Sequence, residues 1–210
     1  KDLAPVIVLA SLANVLVVNP AVKANSVADV IALAKAQPGK LNYASSGNGT
    51  IVQLTAELFK AQAGLYVTHI PYKGTALAIP DLVSGQLDVL FDSLPTGMPH
   101  VRDGRLRALG VTTLKRSPLA PDVPPIADTL PGYESNTWFG LYGPKGLGAD
   151  IVTRVNTAAN QALSDPEVRN KLTTLGIEPV TSTPAQFTKM VADDLAKWKK
   201  IISERKIVNE

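Results

Sequence analysis

The sequence predicts an α/β fold in which mostly parallel strands are covered by helices on both faces. Three observations carry this reading. Short runs rich in Val, Leu and Ile alternate with stretches of helical spacing, glycines stand where those helices should stop, and the connections are short. The 210 residues, 45% of them hydrophobic, suffice for a sizeable core. A charged content of 19% lies far from the disordered regime. At roughly 150 residues per domain the length amounts to about 1.4 domains.

The apolar stretch Leu3–Val18 contains Pro5 and Asn14 and is shorter than the ~20 residues of a membrane-spanning helix. It reads as two buried strands joined by a turn at residues 11–14. Lys1 is cancelled by Asp2, so the cationic start of an export signal is missing. A chain opening directly on strand sequence is expected to have lost an upstream part, any signal included. Ser26, with Asp29 three residues on, opens a helix through Lys35 that Pro38-Gly39 ends. A strand at 41–44 and a loop at 45–50 feed a helix in which Ile51, Leu54, Leu58 and Ala61 keep helical spacing up to Gly64. The unit repeats as strand 67–72, loop 73–75 and helix 76–83, stopped by Gly85. It recurs as strand 87–91, loop 92–97, a short helix around 99–102 and strand 106–112.

Residues 117–125 hold four of the sixteen prolines and are expected to be an extended surface segment. A strand over 137–142 ends at Gly143-Pro144. Three helices follow. Asp150 caps the first, with Ile151, Val155, Ala158, Ala159 and Ala162 inward. Asp165-Pro166-Glu167 starts the second, which runs to Gly176. Thr183-Pro184 starts the third, whose stripe of Phe187, Met190 or Val191, Leu195, Trp198 and Ile202 reads as core packing.

The chemistry available is limited. With no cysteine and two histidines, the chain carries no disulfide framework, thiolate site or closely spaced zinc set. His69 should be a hydrogen-bonded strand residue and His100 an exposed one. No G-x-S-x-G elbow, H-E-x-x-H or Walker lysine is present. The net charge of +3 is too small for a nucleic-acid surface. Residues 1–100 carry six basic and six acidic side chains, so the excess lies downstream, much of it on one face of the terminal helix.

What stands out is small polar residues at helix starts. Ser46, Gly47, Asn48, Gly49 and Thr50 allow close backbone approach and offer side-chain donors at a helix mouth, a natural anion site. Lys73, Gly74 and Thr75 repeat the arrangement, as do Asp92 and Ser93, and Tyr72 is placed to wall the cleft. In a parallel sheet all three loops follow strand C-termini and open on one edge, where ligands of open α/β sheets bind. Taken alone, Gly47-x-Gly49 resembles the start of a dinucleotide fingerprint, but Val52 stands where the third glycine belongs.

The strings LNYASSGNGT, HIPYKGTALAIPDLVSGQLDVLFDSLPTGMPHVRDGRLRALGVT and KRSPLAPDVPPIADTLPGYESNTWFGLYGPKG resemble the solute receptors of tripartite tricarboxylate transporters, the Bug receptors. That resemblance runs from about Asp2 to the C-terminus. It implies a periplasmic, two-lobed, type II solute-binding fold that closes by a hinge on a small carboxylate: a di- or tricarboxylate, an acidic amino acid or an aromatic carboxylate. It further implies delivery to membrane permease subunits, no catalysis, no metal or organic cofactor, no membrane insertion and a monomeric full-length state. By the same resemblance residues 1–18 are a remnant of lobe 1 leading into the first crossing strand, 19–138 are lobe 2, and 139–210 return to lobe 1. The family's first lobe 1 strands and carboxylate loop have no counterpart here, so half of the ligand cleft is expected outside this chain, which alone should bind carboxylates weakly. Two other readings remain open: the effector-sensing domain of a transcription regulator, and a Rossmann-like nucleotide-dependent enzyme. The second lacks the acidic residue ~20 positions beyond the glycines.

Overall fold

A computed structural model describes residues 2–208 of the chain, which form two compact units. Unit 1 takes the residues up to Leu12 and Thr137–Lys199; unit 2 takes Ala13–Asn136 and the residues from Lys200 onward. The divisions between these units fall after Leu12, Asn136 and Lys199. Strand pairing explains the first division, because residues 14–18 are hydrogen-bonded within the sheet of unit 2.

The opening stretch is one strand, β1 (Leu3–Val18), and not two. The polar residues at its middle are paired instead of turning. Ala10 and Ser11 lie opposite Pro179 and Glu178 in unit 1, and Asn14 lies opposite Ser93 in unit 2. Asn14, 4% exposed, donates its N–H to Thr112 Oγ1 at 2.9 Å and its Nδ2 to the Ser135 carbonyl at 3.3 Å, which removes the reason to turn.

Unit 2 then alternates as expected through α1 (Val27–Ala36), β2 (Asn42–Ser45), α2 (Ile51–Ala63), β3 (Thr68–Pro71), α3 (Thr75–Ser84), β4 (Val89–Ser93), α4 (Leu94–Arg102) and β5 (Arg107–Val111). Ser26 caps α1, its hydroxyl accepting from the Asp29 N–H at 3.1 Å. The sheet order is β3-β2-β4-β1-β5. β2 is parallel to β3 and β4, while β1 is antiparallel to β4 and β5. Only β1 is reversed, so the mostly parallel expectation holds for this sheet. Its core packs Val15, Val17, Leu90 and Val111 against Ala78 and Leu82 of α3 and Leu94 of α4. Residues 117–125 are irregular but not superficial: Ala120 and Val123 are buried in the same core, and Pro125 bridges Val111. Proline prevents ladder pairing; it does not prevent burial.

Unit 1 contains β6 (Asn136–Pro144) from Thr137 on, α5 (Ala149–Ser164), α6 (Pro166–Thr174), β7 (Glu178–Pro179) and α7 (Pro184–Arg205) up to Lys199. β6 and β7 pair with β1. Asp165 caps α6 by accepting from the Glu167 and Val168 N–H groups, and α6 ends at Thr174, short of Gly176. Thr183 and Gln186 cap α7 reciprocally, at 3.1 and 2.8 Å. Gly148, not Asp150, precedes α5, whose packed face is Val152, Val155, Ala159 and Leu163. Val155 and Ala159 face inward as expected, but Ile151 is 44% exposed and Ala158 and Ala162 also face water, while Val152 and Leu163 complete the packed face. On α7, Phe187 is fully buried while Leu195 and Ile202 are exposed; Asp194 takes Leu195's place inward and accepts from Trp138 Nε1 at 2.6 Å. Phe187 seats on a glycine of β6: a Cβ at Gly140 would lie 2.1 Å from its Cζ.

Candidate functional site

The C-terminal ends of β2, β3 and β4 lie side by side in unit 2, and the residues singled out in the sequence gather there. The Tyr72 N–H donates to the Ser45 carbonyl at 3.0 Å. Gly47, at φ 130°, brings its Cα so near that a Cβ would lie 3.4 Å from the Tyr72 carbonyl, so the first two loops touch. Gly74 is the N-cap of α3 and Thr75 its first residue. The third segment departs from expectation. Asp92 and Ser93 end β4, Ser93 is itself the N-cap of α4, and the helix starts at Leu94 rather than around Pro99, so no loop occupies 92–97. Pro95 sits in the first turn, where its missing N–H costs nothing.

Capping chemistry sets these helices apart. α1, α6 and α7 have side-chain caps, whereas Thr50, Gly74 and Ser93, the N-caps of α2, α3 and α4, make no capping hydrogen bond. Three first turns, with their N–H groups and positive dipole ends, therefore open together at one sheet edge. Among the described residues, α5 and the 3-10 turn Ile126–Asp128 share the lack elsewhere. The side chains of Ser46, Asn48 and Lys73 make no hydrogen bond or ion pair among the described residues. Tyr72 donates its hydroxyl to Asp81 Oδ2 at 2.6 Å, a bond that raises its pKa. Asp92 is 2% exposed and accepts from the Thr96 hydroxyl at 2.7 Å, while Ser93 Oγ lies 2.7 Å from Thr96 Oγ1. Asp92 is thus beneath the site surface, and Thr96 was missed in the sequence although Ser93-x-x-Thr96 carries the spacing of a helix start.

The two loop glycines do not offer open N–H groups, contrary to the simplest reading of the loop. The Gly47 N–H donates to Ser45 Oγ at 3.1 Å and the Gly49 N–H to Gln53 Oε1 at 2.7 Å; the Thr50 hydroxyl donates to the Gly47 carbonyl at 2.7 Å. Thr50-x-x-Gln53 has the spacing of a capping box, a signal that could have pointed to Gln53. His69 is held as a strand histidine should be, with Nε2 2.6 Å from Ser45 Oγ and Nδ1 3.2 Å from Gln53 Nε2. Its ring stacks on Tyr43 at 4.8 Å. His100, expected to be exposed, is half-buried, and its Nδ1 has no hydrogen-bond partner among the described residues. It lines a groove of about 640 Å³ between α3 and α4 with Thr75, Ile79, Thr96 and Arg105. Pro99 and Val83, apolar neighbours on the same two helices, account for its burial there.

Below the loops lies a buried ionic network. Glu57 accepts from Tyr43 Oη at 2.7 Å, Lys60 Nζ at 2.5 Å and Arg205 Nε at 2.7 Å. Burial pushes the Glu57 carboxyl up, but the bonds from Lys60, Tyr43 and Arg205 outweigh it and hold the pKa below its ordinary value. Burial lowers that of Lys60 against the pull of Glu57. Among the described residues no three His, Asp or Glu side chains come together to hold a metal ion, and no helix is long and apolar enough to cross a membrane.

The family model for the tripartite tricarboxylate transporter family receptor matches residues 1–207. The UPF0065 protein in the tcbD-tcbE intergenic region of Pseudomonas sp. (strain P51) is 36% identical over 209 residues, which cover 99% of this chain and 62% of that protein. Protein BugT of Bordetella pertussis is 34% identical over 205 residues, covering 97% and 63%. The chain therefore spans under two thirds of the length of these curated relatives. Among solved structures, R. palustris Rpa4515 with adipate aligns with a TM-score of 0.86 at 36% identity, covering 99% of this chain and 70% of that one. MatC (Rpa3494) from Rhodopseudomonas palustris with bound malate aligns at 0.80 and 27% identity, covering 95% and 69%. With its mixed sheet, flanking helices and family match over nearly every residue, this chain belongs to the tripartite tricarboxylate transporter receptor family.

Proposed function

We propose that the chain is part of a periplasmic receptor that binds a small carboxylate and delivers it to the permease of a tripartite transporter. The observation that carries this reading is the set of uncapped N-termini of α2, α3 and α4 opening at the ends of β2, β3 and β4. A carboxylate supplies the acceptor oxygens and the negative charge that such termini lack. In this reading Ser46, Asn48 and the first-turn N–H groups of α2 take one end of the ligand. Gly47 and Gly49 shape the loop, with Thr50 holding its closing turn. Lys73 adds a cation, and Gly74 and Thr75 add the start of α3. Ser93 contributes from α4, with Asp92 orienting Thr96 from below. Tyr72, tied to Asp81, walls the loop.

Relatives solved with adipate and with malate support dicarboxylates as the ligand class. The receptor catalyses nothing, needs no cofactor and acts as a monomer. Thermal-shift and calorimetric titrations with adipate, malate, citrate, glutamate and benzoate, with NAD as control, test the proposal. Saturation at a hundredfold over Kd should stabilise the protein by about 2.7 kcal/mol. A shift with NAD and none with any carboxylate would sink it.

A further inference from the structure

We propose that His69, neutral and protonated on Nε2, is a positioning residue for the loop at 46–50, locking it through Ser45 and Gln53 so that protonation of the ring releases the loop. This rests on the carboxylate-receptor reading only in naming what the loop binds. Hydrogen-bond polarity forces the chain of contacts. The Gly49 N–H can only donate, so the Gln53 group 2.7 Å away is the amide oxygen. Gln53 Nε2 therefore faces His69, and Nδ1, 3.2 Å away, must accept. The ring proton then sits on Nε2 and points at Ser45 Oγ, 2.6 Å away. Ser45 Oγ also accepts from the Gly47 N–H at 3.1 Å and donates to the Gly47 carbonyl at 3.1 Å, which fills its one donor and two acceptor sites. Both loop glycines are thus fixed through one imidazole.

A proton added to Nδ1 would face the Gln53 amino group, donor against donor. Turning the amide over only moves the conflict to the Gly49 N–H. Either way one bond of the chain that holds the loop is lost, Gln53 to His69 or Gly49 to Gln53. The groups around the ring oppose its charging on balance. Gln53 and Ser45, 7% and 0% exposed, leave little water to solvate it, and Tyr43 covers one face. The charged groups facing it are Glu57, which favours the cation, and Lys60, which opposes it; Arg205 reaches Glu57 from α7. Burial is the largest influence and places the His69 pKa below its ordinary 6.5.

Nitrogen-15 spectra of the imidazole and amide exchange, recorded on the full chain, test this without any ligand. The expected results are the Nε2–H tautomer at neutral pH and slow exchange at Gly47 and Gly49. Gln53→Leu should speed Gly49 exchange by about tenfold. Gln53→Glu, whose carboxylate accepts from both sides, should raise the His69 titration by roughly 1–3 pH units. An Nδ1–H tautomer, unchanged Gly49 exchange in Gln53→Leu, or an unmoved titration in Gln53→Glu would overturn the proposal. With adipate as probe, Gln53→Leu should also weaken binding by about tenfold, and wild-type affinity should fall as pH drops through the lowered His69 pKa, beneath the ordinary imidazole range. If wild-type protein binds neither adipate nor malate, the carboxylate reading fails, and the spectra still decide the role of His69.

Discussion

Removing the Glu57 carboxylate should destabilise unit 2 by about 3–5 kcal/mol. Glu57 is 5% exposed and Lys60 6%, so Glu57→Ala leaves an ammonium inside the protein with no counter-charge, 5.0 Å from the centre of the Tyr43 ring. Arg205 is the peripheral member, its side chain 28% exposed, and can turn toward water when its partner is lost. The cost therefore comes mainly from Lys60. That reasoning predicts a rescue. Glu57→Leu combined with Lys60→Met replaces both buried charges by apolar groups of similar volume and should recover part of the loss, since the buried ammonium is gone while the Tyr43 hydroxyl still lacks its acceptor. Urea unfolding followed by far-ultraviolet circular dichroism measures both variants, and at roughly 2–4 °C per kcal/mol the single substitution lowers Tm by roughly 6–20 °C. Trp138 and Trp198 both lie in unit 1, so tryptophan fluorescence records that unit separately. A loss under about 1 kcal/mol for Glu57→Ala, or a double variant no more stable than the single one, would refute the dominance of the buried cation.

Gly140→Ala should cost about 1–3 kcal/mol, because the added methyl meets Phe187 Cζ at 2.1 Å; Phe187→Leu should recover part of it in thermal melts. Acid unfolding should steepen below about pH 4.5. The folded-state pKa of Glu57 lies under its ordinary 4.5, so the unfolded chain takes up the proton first and the stability Glu57 contributes disappears as pH falls; Glu57→Gln should flatten that slope. Lys73→Ala should leave unfolding within about 0.5 kcal/mol of wild type, since Lys73 is exposed and makes no ion pair, yet weaken adipate binding more at low salt than at high.

Local chemistry made most of unit 2 legible. Ser26 and Asp29 mark the start of α1, Gly64 and Gly85 stop α2 and α3 in left-handed turns, and small polar residues mark the three helix mouths at the sheet edge. These signals act within a few residues, so tertiary context had little to override. The early start of α4 and the Thr50-x-x-Gln53 spacing are local signals, whereas the failures at β1 and on the helix faces come from long-range pairing. Ser11 and Asn14 look like a turn until Pro179, Glu178, Ser93 and Ser135 are known to satisfy the strand. The stripes of α5 and α7 hold at Val155, Ala159, Phe187 and Trp198 but fail at Ile151, Leu195 and Ile202, because the packed face of a helix is fixed by what it meets; Asp194 turns inward for the indole of Trp138.

The sequence by itself determined the α/β alternation, the starts of α1 and α7, the glycine stops of α2 and α3, and which small residues stand at the strand ends, since each depends on neighbours along the chain. Tertiary structure alone decided that the Gly47 and Gly49 N–H groups are already spent, that Asp92 lies under the surface, and that His69, Ser45 and Gln53 form one hydrogen-bonded chain. Those are facts of donor and acceptor geometry across 24 residues, from Ser45 to His69, and such polarity is fixed only when the groups meet.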